Sequence, residues 1–296
     1  MRAGLRTVRR RLAERAQGKF RSVVADDPAV AAKALPYAGG ASTFTILAPP
    51  GRSDGDGPRN RPVPPVDRWD LPDETDPRVY LDSGEETAQL LTARLRAHGV
   101  ELAPNPTVLD FGCGYGRLVR WLGPWAALGE VWGADVDGER IEWARRCLGP
   151  PFQFVTITSA AHLPFEDDTF DLVVGHSVLP HIADGADAWM LELRRVTRPG
   201  GHLYLTVYDD HTAARIRQGT GSPDLAAPLA EAEARAGRLG DGADLIALNR
   251  RVGGAQVFRS TAWIERVWGA WFDIVSMEPD AFHLQTGVLL RKRVRR

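Results

Sequence analysis

The stretch VLDFGCGYGR, residues 108–117, decides the fold. A short apolar run ends at an acid, Asp110, and opens into three glycines at every second position, Gly112, Gly114 and Gly116. Glycine lacks a Cβ, so a chain built this way can turn sharply at a strand end and pass its backbone close against a ligand. A dinucleotide fingerprint reads G-x-G-x-x-G. Here the spacing is G-x-G-x-G, with a carboxylate two residues ahead of the first glycine. A pyrophosphate would be repelled by Asp110, whereas an ammonium or sulfonium group would be attracted to it.

Outward from this stretch, apolar runs bounded by turns recur at 107–111, 129–134, 152–157, 170–175 and 202–207. Helical or loop segments separate them at 116–126, 138–148 and 184–196. The alternation predicts a parallel sheet with helices on both faces, its strand C-termini gathered on one ligand-binding edge. The second run ends in GADVD, which puts Asp135 25 residues after Asp110. A carboxylate there can accept from both hydroxyls of a ribose, and Asp137 is placed to cap the next helix. A strand-end acid is more often a cap or turn former. With the three glycines, the two acids describe a ribose-bearing ligand with a cationic amino-acid tail, which is S-adenosylmethionine.

On these motifs the chain resembles the class I S-adenosylmethionine-dependent methyltransferases. VLDFGCGYGR is similar to their first motif and VWGADVD to their second. SAAHLPFEDDTFDLVVGHSVLPHI, residues 159–182, is similar to their third and fourth, and LELRRVTRPGGHLYLTV resembles the passage through their fourth helix and fifth strand. The resemblance covers about residues 80–208 and, more weakly, a closing helix and hairpin. It implies an α/β, doubly wound, Rossmann-like seven-stranded sheet whose last strand is antiparallel. It also implies that Gly112, Cys113, Gly114 and Gly116 line the methionine and ribose part, with Asp110 near the amino group. Asp135 would hold the ribose hydroxyls and Val136 would lie against the adenine. Where the family often has an acid for the adenine amino group, this chain has Ser159, so either that hydroxyl or the backbone of Ala160 takes its place.

Methyl transfer is an in-line displacement that a protein promotes chiefly by alignment and exclusion of water. An oxygen nucleophile also needs a proton acceptor, for which histidine is suited near neutral pH. His176 stands where relatives carry a polar residue facing the methyl group, and His181 follows it, so both are catalytic candidates; His181 can equally be a packing residue. His202 reads as structural. Asp209 and His211 can form a base and orienter pair or simply a turn. Trp263, Trp268 and Trp271 with Phe272 and Phe282 can wall an aromatic acceptor or pack in the core. Residues 211–257, with helical stretches such as DLAAPLAEAEARAG, read as a helical cap over a small acceptor.

With 296 residues and 44% hydrophobic content, the chain can bury one α/β domain with extensions. Cys113 and Cys147 are too few for a disulfide framework and lack zinc spacing, so a cytoplasmic compartment and no structural metal are expected. The first 25 residues carry eight Arg or Lys against one acid and the last six carry five more, while the 265 between hold 24 bases against 37 acids. That acidic body is a poor platform for nucleic acid. No apolar run approaches the roughly 18 residues of a membrane span.

Leu5, Val8 and Leu12 share one side of a basic helix, and a Pro, Gly and Asp-rich connection at 49–77 separates an extension, 1–78, from the methyltransferase domain, 79–296. Ser83 is placed to cap the domain's first helix and Gly99 to close it. Residues 1–48 can serve as a homodimer arm, a lid or a tail. The reading as a whole is methyl transfer to a hydroxyl or amine of a small natural product or sugar. A non-methylating enzyme on the same cofactor, a cyclase or decarboxylase, and a non-catalytic binding module are the alternatives.

Overall fold

The computed structural model describes residues 34–36, 44–47, 57–69, 75–183, 185–249 and 255–294. The expected basic helix near the start of the chain lies outside them. Two short strands of the extension, Ala34–Pro36 (β1) and Phe44–Leu47 (β2), precede the first long helix, Pro77–Ala97 (α1). The alternating run follows as Thr107–Phe111 (β3), Gly123–Ala126 (α2), Glu130–Asp135 (β4), Gly138–Leu148 (α3), Gln153–Thr156 (β5), Phe170–Gly175 (β6), Ala186–Val196 (α4) and Thr197–Val207 (β7).

The insertion contains Asp210–Arg217 (α5), Pro223–Ala236 (α6), two-residue strands Arg238–Leu239 (β8) and Gly242–Ala243 (β9), and a hairpin of Leu245–Asn249 (β10) and Ala255–Arg259 (β11). Thr261–Trp271 (α7), Phe272–Phe282 (β12) and Gln285–Lys292 (β13) complete the described chain.

The main sheet has the order β1-β2-β5-β4-β3-β6-β7-β13-β12. Neighbours from β5 to β7 pair in parallel, and β13 runs antiparallel to both β7 and β12. This is the expected seven-stranded arrangement. It is extended at the β5 edge by β2 and β1, which the sequence reading did not foresee.

Period-two alternation divides each strand between two cores. Val108, Leu172 and Val174 face a layer built by Leu91 and Leu95 of α1 and by Ile141 and Leu148 of α3. Leu109, Phe111 and Val173 face Trp189 and Leu193 of α4 and Ile264 and Trp268 of α7. Trp268 and Phe272 are fully buried there, with Trp263 and Trp271 packed against them, so these four are core residues and not a ligand wall. Phe282 is separate, at the far end of β12.

One local expectation changes. The cap of α1 is Asp76, whose side chain accepts from the Arg78 amide, with Pro77 at the first helical position; Ser83 lies inside the helix and donates to the Tyr80 carbonyl at 3.0 Å. The segment 116–126, expected as helical or loop, is made of turns, a 3-10 turn at Val119–Trp121 and the four-residue α2. Gly123 and Pro124 explain this, because proline supplies no amide to the ladder and glycine weakens it. No described helix is long and apolar enough to cross a membrane.

Candidate functional site

The C-terminal ends of β3, β4, β5 and β6 lie side by side in the sheet, and the predicted residues fall on them in that arrangement. After β3, Gly112, Gly114 and Gly116 all have positive φ, at 76°, 54° and 73°. A Cβ at Gly112 would come within 2.3 Å of Val178 Cγ2 and one at Gly116 within 2.6 Å of Leu148 Cδ1, so both glycines are required sterically as well as conformationally. The Gly112 and Cys113 amides donate to the Ala134 carbonyl, which ties the loop to β4. Cys113 is buried against Gly133, and burial pushes its thiol well up, so it packs and does not react.

Asp135 holds the loop from the other side. Its Oδ2 accepts from the Gly114 amide and its Oδ1 from the Asp137 amide, both at 2.8 Å. Asp137 caps α3 as expected, accepting from the Glu139 and Arg140 amides. Asp110 differs from both. It is only 3% exposed, and no hydrogen bond to its carboxylate is formed among the described residues. Burial raises it to about 7, with the Asp135 charge acting in the same direction and Arg117 against it. A buried carboxylate without a donor is costly, and a ligand ammonium would relieve that cost. Beyond β4 and β5, Val136 is 58% exposed, and Ser159 and Ala160 are exposed on the next loop.

His176 follows β6 on the same sheet face as Val174. Its ring lies 5.6 Å from that of Tyr204 and 5.3 Å from that of Phe282. The ring is partly exposed, but Nδ1 is sealed and has no hydrogen-bond partner among the described residues. Burial, helped by the Arg117 charge, pushes the imidazole down to about 3, so it is neutral at physiological pH. The Arg117 guanidinium lies 5.6 Å from the Phe282 ring centroid, and Nη1 donates to Ser83 Oγ at 3.1 Å. The helix α1 can approach this closely because of Gly84, where a Cβ would sit 2.5 Å from the Arg117 carbonyl.

His181 is placed elsewhere. It is exposed, and Nδ1 lies 3.3 Å from the Ala255 carbonyl and 3.4 Å from Gln256 Nε2, both on β11. Beside it Arg259, fully buried, donates from Nη1 to the Leu179 carbonyl and from Nη2 to the Ile182 carbonyl. Tyr208 stacks on Phe258 at 5.0 Å, and the Arg259 amide donates to the Tyr208 carbonyl. The insertion is therefore fastened to the ends of β6 and β7 along β11, as a fixed wall. The Asp209 and His211 pair does not form: Asp209 caps α5, and His211 Nε2 lies 3.1 Å from Asp280. His202 sits within β7, opposite Leu172 and Arg291, away from the ligand edge.

Sequence reasoning passed over Arg117, Gly84 and Arg259. A glycine inside a strong helical pattern marks close backbone approach, so Gly84 carried a usable signal. Arg259 carried none, because nothing in its neighbourhood of sequence foretells total burial.

Residues 109–205 match the family described as Methyltransferase domain, the segment from β3 to β7 that bears the loop and both acids. The chain is 34% identical over 140 residues to "Methyltransferase GfsG" of Streptomyces halstedii, covering 46% of this chain and 47% of that protein. It is 32% identical over 143 residues to a 2-methyl-6-phytyl-1,4-hydroquinone methyltransferase of Synechocystis, covering 48% and 44%. The chain thus spans about half the length of the curated relatives it matches. Among solved structures, it is similar in fold to magnesium protoporphyrin IX methyltransferase of Synechocystis with bound SAH, at a TM-score of 0.50 and 20% identity, covering 77% of this chain and 94% of that one. Taken with the strand order and the glycine loop, these matches place a methyltransferase domain at residues 109–205, in a fold similar to that of a class I S-adenosylmethionine-dependent methyltransferase.

Proposed function

We propose that this protein is a cytoplasmic enzyme that transfers a methyl group from S-adenosylmethionine to a small-molecule acceptor of natural-product type. The observation that carries the reading is Asp110, a buried carboxylate with no hydrogen-bond donor among the described residues, beside a loop whose three glycines all have positive φ. In this assignment Asp110 takes the ammonium of the cofactor and the loop of Gly112, Cys113, Gly114 and Gly116 lies along its amino-acid chain. Asp135 has lone pairs left over for the ribose hydroxyls after serving two amides. Val136, Ser159 and Ala160 bound the adenine end. When bound, the cofactor supplies an activated methyl group.

The chain's own part is alignment and exclusion of water. His176 serves as a neutral hydrogen-bonding wall and not as a general base, because a base that holds a proton only below about pH 3 is a weak acceptor at neutrality. His181 acts through the β11 contact and not on the acceptor. The domain would occupy 79–296, with the insertion at about 211–257 forming a fixed side of the acceptor cleft. Relatives named as a hydroquinone methyltransferase and as a ubiquinone biosynthesis O-methyltransferase support a small acceptor. Calorimetry with S-adenosylhomocysteine tests the cofactor assignment: wild-type protein should bind in the micromolar range and Asp110→Ala should not. Absence of wild-type binding at millimolar ligand would remove the reading.

A further inference from the structure

We propose that Gln285, at the start of β13, is a positioning residue for the glycine loop: through Ser177 it holds the turn after β6 in a left-handed backbone that sets Val178 against Gly112. Its bearing on cofactor binding rests on the methyl-transfer reading above. Ser177 has φ 57°. The other described non-glycine residues with positive φ are Asp168, Asp280 and His283, types that accept this region more readily. A serine has no such preference, so its surroundings must hold it there.

A closed ring of hydrogen bonds does so, with partners on β7 and β13. The Ser177 amide donates to Thr206 Oγ1 at 2.7 Å, Thr206 Oγ1 donates to Gln285 Oε1 at 2.6 Å, and Gln285 Nε2 donates to Ser177 Oγ at 2.9 Å. The ring closes in one direction only. A backbone amide can only donate, so the Thr206 hydroxyl accepts from it and directs its own proton to a carbonyl oxygen. Turned over, the Gln285 carboxamide would bring a second donor to Thr206 and leave that proton without an acceptor among the described residues. Thr206 and Gln285 are both buried, where an unmade bond is costly, so the ring is held together.

The consequence falls on the glycine loop. Val178 follows Ser177, and its Cγ2 stands 2.3 Å from where a Cβ at Gly112 would be, so it packs directly on the first glycine of the loop. The Val178 backbone is right-handed, at φ −98° and ψ −53°, and leads into the 3-10 turn Leu179–His181. The change of hand between Ser177 and Val178 turns the chain onto Gly112. Without the ring, Ser177 relaxes toward negative φ and Gly112 loses the side chain that covers it.

The test is Gln285→Met in the full-length protein, which keeps the length of the side chain and removes both of its bonds. Calorimetry with S-adenosylhomocysteine should show about tenfold weaker binding. Hydrogen exchange of the 112–116 amides in the ligand-free protein should quicken by about tenfold. Adding Ser177→Gly should return both to within about twofold of wild type, because glycine takes positive φ about as readily as negative. Glycine at this position cannot repair lost packing around β13, so the rescue separates positioning from a merely structural role. Should Gln285→Met not fold, Thr206→Val cuts the same ring and carries the same expectations. Wild-type affinity and exchange in Gln285→Met, or a double variant as impaired as the single one, overturns the proposal. If the wild type itself binds no S-adenosylhomocysteine, the methyl-transfer reading falls, and the exchange rates alone decide whether Gln285 holds the loop.

Discussion

The Gly114 amide donates to Asp135 Oδ2 at 2.8 Å, so the second acid of the site supports the glycine loop. The other oxygen of Asp135 accepts from the Asp137 amide. One carboxylate thereby joins the ends of β3 and β4 and sets the start of α3. Burial raises Asp135 above the ordinary carboxylate range, while these two amides oppose the shift.

Asp135→Asn replaces one acceptor oxygen with an NH2 group that would face an amide donor. The loss of a hydrogen bond and the new donor-donor contact should together weaken S-adenosylhomocysteine binding at least tenfold, about 1.4 kcal/mol or more. Calorimetry reads the affinity, and an unchanged far-ultraviolet dichroism spectrum shows that the fold is intact.

Asp110 makes the protein sensitive to pH in a defined direction. Its folded-state pKa of about 7 lies above the ordinary 3.8, so its contribution to stability is fully present below about pH 4 and is lost as pH rises through 7. Asp110→Asn, which mimics the protonated acid, should raise the stability of the ligand-free protein at pH 8 by roughly 2–4 kcal/mol and leave it unchanged at pH 4. Thermal melts at the two pH values check this. Cofactor affinity in the wild type should climb with pH up to about 7 and then level off, with proton release on binding below that point. Calorimetry in buffers of different ionisation enthalpy counts the protons, and uptake instead of release would contradict the assignment.

Gly112→Ala places a methyl group 2.3 Å from Val178 Cγ2 in a backbone at φ 76°. The variant should lose about 2–4 kcal/mol in denaturant unfolding, part of it from overpacking and part from the left-handed backbone. Adding Val178→Ala should recover only the steric part. Complete recovery would mean that the backbone conformation costs nothing.

Arg259→Leu removes two donors and leaves the Leu179 and Ile182 carbonyls without them. Burial lowers the guanidinium to about 10, so it remains charged at neutral pH. Stability should fall by about 2–4 kcal/mol. Hydrogen exchange should quicken in the segment 176–183 and in β11 more than in β4. Uniform quickening across the sheet would show that Arg259 has no special hold on the insertion.

Much of the architecture was legible in the sequence because it is local. Five apolar runs and their turns located β3 to β7 within a few residues, since a strand buried on both faces must be apolar throughout. The sheet-edge acids and glycines were legible for the same reason: a turn at a strand end has its own residue chemistry. The start of α1 was misread at Ser83, because Asp76 and Pro77 stood inside a segment that resembled a linker. The insertion was read as helical because Ala-rich stretches dominate it, and the β10–β11 hairpin was missed.

Motif spacing alone determined the proposed cofactor end of this protein, from Asp110 through Gly116 to Asp135, because its contacts are made by neighbours in sequence or by adjacent parallel strands. The cluster beyond the end of β6 was decided only by tertiary structure. Arg117, Ser83, His176, Tyr204 and Phe282 come from five separate elements, and no periodicity links them. Their meeting depends on Gly84 letting α1 close on the loop and on β13 returning antiparallel beside β7. Whether His176 is a base or a neutral wall is likewise a matter of burial and neighbouring charge, which the fold sets and the residue type does not.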